Sequence, residues 1–163
     1  MAEQGTIISG DNAGGLIKAA TPSPVTYDAS AVKSGRMPQK HDTVCFERAN
    51  PTDSFATDVR VGTCVAAKLA QTFQHTFHEN AGDLTLGHAA RAEIDRLANQ
   101  RAVRVLKPIP GADALPEELL AARVALAQAT MFLLAIEMRV LEGDISAETL
   151  RAVLRRQRPT LPR

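Results

Sequence analysis

His75, His78 and Glu79 stand at i, i+3 and i+4, so a helix through them turns all three side chains toward one side. Two imidazoles and a carboxylate on one face are ligands of the type that hold zinc or iron. No second segment supplies a matching pair and His88 stands alone, while polar residues beside an apolar stripe are usually a wetted helix face. The expectation is therefore no metal and no cofactor, with His75, His78 and Glu79 as the residues a metal reading would use. Cys64 falls on the first turn of the same helix, where unpaired N–H groups and the helix dipole lower a thiol pKa and His41, His75 or His78 supplies a base. Nothing around it forms a nucleophile signature, and cysteine is among the residue types most often simply buried.

Gly10-Asp11-Asn12-Ala13-Gly14-Gly15 has the glycine content of a phosphate cradle. It lacks both the Gly-Lys-Ser/Thr ending of a P-loop and the strand and helix that flank a dinucleotide fingerprint, so it reads as a turn. No Gly-x-Ser-x-Gly elbow is present either. With no catalytic residue to name, the balance is against an enzyme. Toward the end of the chain, Arg151, Arg155, Arg156 and Arg158 make a basic run just after Asp144 and Glu148. Such a run reaches phosphate or an acidic partner surface, but cations at a helix C-terminus also favour the dipole, and no aromatic is interleaved to stack on bases.

The elements that carry these residues change character along the chain. The first 62 residues are broken by turn signals, among them Pro22-Ser23-Pro24, Ser34-Gly35 and Asn50-Pro51-Thr52-Asp53. Between them lie short β-like pieces: Thr6 to Ile8, Leu16-Ile17, Val25 to Tyr27, Val44 to Phe46, and Phe55 to Val61, the last two flanking the Asn50–Asp53 turn as a hairpin. These pieces hold few large apolar residues. The expectation is an extended arm that lies on the helices or on a neighbouring chain.

From Thr63 the period is helical. Ala66, Leu69, Ala70, Phe73 and Phe77 form a stripe, Thr63 is placed to cap it, and Asn80-Ala81-Gly82 ends it. A second helix starts near Asp83 or Thr85, with Leu86, Ala90, Ile94, Leu97 and Ala98 on one face and an Arg91–Asp95 pair on the other, and Lys107-Pro108-Ile109-Pro110-Gly111 stops it. A third, from Asp113 to Glu142, opens with the acids of Pro116-Glu117-Glu118 and becomes apolar on nearly every side near Met131 to Ile136. Its charge-free core, Val124 to Ile136, falls short of the roughly 20 residues of a membrane span, so it reads as a core or interface helix with no membrane partner. Ser146 is placed to cap a fourth helix, with Ile145 stapled to Leu150, and Val153 and Leu154 completing its face.

Composition sets the limits. In 163 residues, 45% hydrophobic and 23% charged content is ordinary globular usage, and a net charge of +1 provides no field to steer nucleic acid or anionic membrane. The opening residues show no secretory signal, so a cytoplasmic protein, or one within a particle assembled there, is expected, with Cys45 and Cys64 as free thiols.

The predicted fold is mainly α with a small β part: an extended N-terminal arm and β-hairpin over residues 1–62, then a three- to four-helix C-terminal bundle over 63–163. The predicted function is a non-enzymatic structural or assembly subunit of a larger oligomer. Phe55, Val59 and Val61 of the hairpin and Met131, Phe132 and Leu134 of the third helix would meet other protein subunits. A phage virion component, such as a connector or internal protein, has this shape by architectural analogy. The alternatives are a nucleic-acid-associated accessory protein using the arginine tail, and a small enzyme or metal protein centred on His75 and His78.

Overall fold

A computed structural model describes residues 2–143 together with Ser146, Glu148, Arg151, Ala152 and Arg155. Five strands come first: β1 (Ala2–Gly10), β2 (Gly14–Lys18), β3 (Val25–Asp28), β4 (Thr43–Glu47) and β5 (Asp58–Val61). They form one sheet in the order β3-β2-β1-β4-β5, with every neighbouring pair antiparallel. The β1–β2 turn is made by Asp11, whose Oδ1 accepts the Ala13 and Gly14 N–H groups at 2.7 and 3.2 Å. The glycines on either side have a second role. A Cβ on Gly10 or Gly15 would lie 2.7 or 2.9 Å from the Tyr27 hydroxyl, so only glycine leaves room for that buried ring.

After β3 the chain returns to place β4 beside β1, the Greek-key arrangement. The sheet then curls until its two ends meet. Thr26 N–H donates to Ser54 O at 2.7 Å, Ala56 N–H to Thr26 O at 2.8 Å and Lys33 N–H to Val59 O at 2.9 Å, with parallel bridges Thr26–Phe55 and Val32–Val59. The backbone groups that an open sheet would leave unpaired at its edges are thus engaged. Alternate side chains point to the inside of the curl, where Ile7, Ile17, Val25, Val44, Phe46 and Val59 make a core of their own.

This corrects the expected fold class. Among the described residues the chain has a five-stranded antiparallel curled sheet followed by three helices, and is not a mainly α bundle preceded by an arm and hairpin. The physical reason is closure. A lone hairpin exposes one face of every residue it has, whereas a curled sheet sends the inward residues of five strands to one interior, so a few valines and isoleucines, one Phe and one Tyr fill it.

The helices are α1 (Cys64–Ala81), α2 (His88–Leu106) and α3 (Glu117–Leu141). Thr63 caps α1 by accepting the Ala66 N–H at 3.2 Å, and Gly82 ends it at φ 62°. α2 begins later than Asp83 or Thr85, after Gly87, although Leu84 and Leu86 of the preceding segment still pack on the helical core. Phe73, Phe77, Ala98, Ala102, Met131 and Ala135 are fully buried at its centre, where alanines let the three helices approach closely. The expected fourth helix centres on Ile145, Leu150, Val153 and Leu154, which lie outside the described residues; Glu148, Arg151, Ala152 and Arg155 have helical backbone.

Three features join sheet to helices. Val61 pairs with Val44 and Gly62 N–H donates to Thr43 O at 2.8 Å, so the chain enters α1 beside β4. There Cys64 and Cys45 form a disulfide with their Cα atoms 4.8 Å apart, which corrects the expectation of free thiols. The sequence alone did not reveal that hairpin register, and the register is what brings the two cysteines together. Gly35, at φ 72°, abuts α2 so closely that a Cβ would lie 2.7 Å from the Arg96 backbone nitrogen. A polar chain completes the junction: buried Arg60 pairs with Asp58 at 3.0 Å and donates to Gln74 Oε1 at 3.5 Å, and Gln74 Nε2 donates to Asp95 Oδ1 at 2.9 Å.

Candidate functional site

α3 makes most of its contacts through one side. Ala127, Met131, Ala135 and Ile136 are buried, yet Leu126 is 70% and Leu141 85% exposed. From Leu119 to Ile136 the only charged residue is Arg123. Leu119, Ala122, Leu126, Ala129 and Leu133 follow one another at steps of three and four, and the next position, Ile136, turns into the core. The five before it are exposed or half-buried. That spacing is the seam of a coiled coil, and here it faces solvent. Among the described residues α3 is the one helix long and apolar enough, by length and composition, to cross a membrane.

Beside this seam runs an open groove of about 730 Å³ between the end of α2, the α2–α3 link and the first half of α3. Arg101, Arg104, Lys107 and Arg123 line it together with Ile109 and Leu126, and among the described residues no aspartate or glutamate does. Arg123 is fixed in place: its Nη1 donates to the carbonyls of Lys107 at 2.7 Å and Val105 at 3.2 Å, holding the link against α3. The other three cations form no ion pair with a carboxylate among the described residues, and Arg101 Nε is buried without an acceptor. On the far half of α3, Glu137 is exposed and likewise forms no ion pair there.

The sequence-derived candidates are dispersed. His75 Nε2 and Glu79 Oε1 meet at 3.0 Å on the exposed face of α1, while His78 sets its ring edge against Phe77, 5.4 Å between centroids. Among the described residues no group of three His, Cys, Asp or Glu side chains is placed to hold a metal ion. Cys64 is in the disulfide and has no thiol to offer as a nucleophile. Of the six interface candidates, Val59, Val61 and Met131 are buried inside this chain. Phe55 is exposed, and Phe132 and Leu134 are half-buried, so these three have area left for a neighbour. Arg151 and Arg155 are exposed; Arg156 and Arg158 lie outside the described residues.

Among the described residues Asp95 is the one carboxyl whose pKa is raised. Burial pushes its pKa up, and Arg60, His78 and Lys33 offset only part of that. With Gln74 donating to it and Arg60 one link further on, the arrangement ties β5 to α1 and α2; no nucleophile stands beside it.

The groove was not among the sequence-derived sites. A signal was present: Arg101, Arg104 and Lys107 repeat every three residues in a stretch from Asn99 to Lys107 that holds no acid. The chain matches no protein-family model, no curated protein and no solved structure.

Proposed function

We propose that this protein is a non-enzymatic structural or assembly subunit, and that the solvent-facing seam of α3 is where another protein chain packs. The observation behind this reading is Leu126, 70% exposed in the middle of a line of apolar residues three and four apart. Covering a leucine of that exposure contributes about 1.5–3 kcal/mol, and the seam offers several such positions. The curled sheet buries its own apolar residues, so the need for a neighbour falls on α3 and no longer on the first 62 residues. A protein neighbour is favoured over a bilayer because α3 is already tied down on its other side. Met131 and Ala135 are buried against the other helices, and Arg123 holds the α2–α3 link. Entry into lipid would separate α3 from α1 and α2 or carry their charged faces with it.

Size-exclusion chromatography with light scattering tests the reading. The purified protein is expected to run as a single species heavier than 17.5 kDa, and Leu126→Glu to return it to monomer mass with an unchanged circular dichroism spectrum. A monomer at about 100 μM, well above the micromolar Kd range in which exposed seams associate, refutes the reading. Flotation with lipid vesicles in place of self-association would transfer the seam to a membrane.

A second reading has one observation in its favour. Five strands in a Greek-key order, closed by parallel contacts between the ends, match the architecture of OB barrels, which bind oligonucleotides across strands 2 and 3. On this chain the corresponding outward residues are Leu16, Lys18 and Thr26, with no aromatic platform, and Tyr27 is buried. Anisotropy of a labelled 20-nucleotide single strand at low salt decides it: binding that Lys18→Glu weakens and salt abolishes would favour this reading over the first.

A further inference from the structure

The occupant of the seam can be read from the charges beside it. We infer that it is the α3 helix of a second copy of this chain, lying antiparallel and centred near Thr130, with Glu137 of each copy set against the basic groove of the other. The inference rests on the assembly reading above and gives that reading a partner and a geometry.

The residues flanking the seam on its groove side are Arg123, Thr130 and Glu137, at intervals of seven. In an antiparallel helix pair the same flank of each helix meets, so residue i faces the residue equally far beyond the centre. With Thr130 at the centre, Arg123 faces Glu137 of the other copy, and the reverse pairing follows by symmetry. Arg123 lines the groove with Arg101, Arg104 and Lys107, so each Glu137 enters a site of four cations lined by no acid among the described residues. Glu137 is exposed with no ion pair among the described residues, and Arg101 Nε still lacks an acceptor. The apolar layers agree with this register. Leu133 of each copy comes beside Ala129 of the other near the two-fold axis, where small side chains let the helices meet. A parallel pair would bring the two basic grooves to the same end of the dimer and leave each Glu137 away from them, a like-charge arrangement that costs affinity.

Cysteine cross-linking separates the arrangements, since the native cysteines are already joined. Ala129 and Ala122 are both exposed and small. In the antiparallel dimer two copies of Ala129→Cys lie across the axis and oxidise to a covalent dimer. Two copies of Ala122→Cys are about 24 Å apart, from sixteen residues at the helical rise, and stay single. In parallel pairing both positions cross-link. Sedimentation then tests the charges: Glu137→Arg is expected to raise the dimer Kd at least about tenfold, and adding Arg104→Glu to recover most of that loss. Cross-linking through Ala122→Cys, or a Kd unmoved by Glu137→Arg, overturns this geometry while an oligomer keeps the assembly reading standing. A monomer at every concentration up to about 100 μM removes both.

Discussion

Reducing the Cys45–Cys64 disulfide perturbs the fold without changing a single heavy atom, and its effect can be worked out beforehand. The two cysteines are 19 residues apart in sequence, and the bridge joins β4 to the first turn of α1. In the chain-entropy account, closing a loop of that length removes about 11 cal/mol/K from the unfolded ensemble, or about 3 kcal/mol at 25 °C. A chain of 163 residues unfolds with an entropy near 340 cal/mol/K, so that loss lowers Tm by about 9 °C. The assay is a pair of thermal melts by circular dichroism, with and without a phosphine reductant, alongside thiol titration of the native protein. Cys64→Ser should reproduce the reduced melt, because Cys64 is half-buried and its replacement removes little packing. The denaturant slope should rise on reduction, since the unfolded chain loses a constraint and exposes more surface. Two titratable thiols in protein purified without reductant, or melts agreeing to within about 2 °C, would refute the reasoning, because the bridge would then be absent or without thermodynamic weight.

Three further perturbations probe the packing described above. Gly35→Ala and Gly111→Ala both place a side chain at positive φ, which costs about 1–2 kcal/mol, but only Gly35 meets backbone, that of Arg96 at 2.7 Å. Gly35→Ala should therefore cost more than about 3 kcal/mol and Gly111→Ala about 1, read as Tm falls near 9 and 3 °C; equal falls would mean that the contact between loop and α2 is loose. Tyr27 is 3% exposed with a hydroxyl that has no hydrogen-bond partner among the described residues, so Tyr27→Phe should stabilise the protein by about 1 kcal/mol, and a lower Tm would show that the hydroxyl is satisfied. Asp95 has a raised pKa, so the folded state holds its proton more tightly than the unfolded chain. The contribution of Asp95 to stability is then greatest below the ordinary carboxylate range, declines as pH rises through the folded value, and stays reduced above it. Asp95→Asn should raise Tm at pH 7 and make no difference near pH 3; a destabilised variant at pH 7 would show that attraction from Arg60 outweighs burial.

Local features were legible in the residues because their causes are local. Thr63 caps α1 and Gly82 ends it through chemistry confined to one turn, and Asp11 makes its turn by reaching two residues along its own chain. The short β-like pieces lie where strands form. Their consequence was hidden, since closure depends on Thr26 meeting Ser54 and Lys33 meeting Val59, pairs 28 and 26 residues apart that no periodicity encodes. The Arg91–Asp95 pair anticipated along α2 fails for a related reason. Gln74 of α1 reaches Asp95 first, a tertiary contact prevailing over an i,i+4 neighbour. The basic groove shows the same division: the acid-free run through Arg101, Arg104 and Lys107 can be counted in the sequence, but Arg123 joins it only because α3 folds back along α2.

The two cores differ in how completely they are covered, and the proposed interaction surface is argued from that difference. The curled sheet is shut at both ends by hydrogen bonds, tied to α1 by a disulfide, pressed on α2 at Gly35, and joined to both helices through Arg60, Gln74 and Asp95. Its exposed large apolar residues, Ile8 and Phe55, are far apart in sequence and only moderately exposed. Among the described residues the helical core has two shielding helices, α1 and α2, for a third that is apolar almost all round. Two helices can cover only about half the circumference of a third, so α1 and α2 leave the remaining arc of α3 uncovered by geometry and not by accident of sequence. A soluble monomer would place charges along that arc, as α2 does with Arg91, Glu93 and Arg96. α3 places Ala122, Leu126, Ala129 and Leu133 there instead and keeps its charges to the flanks, the pattern from which its proposed packing against another chain is argued.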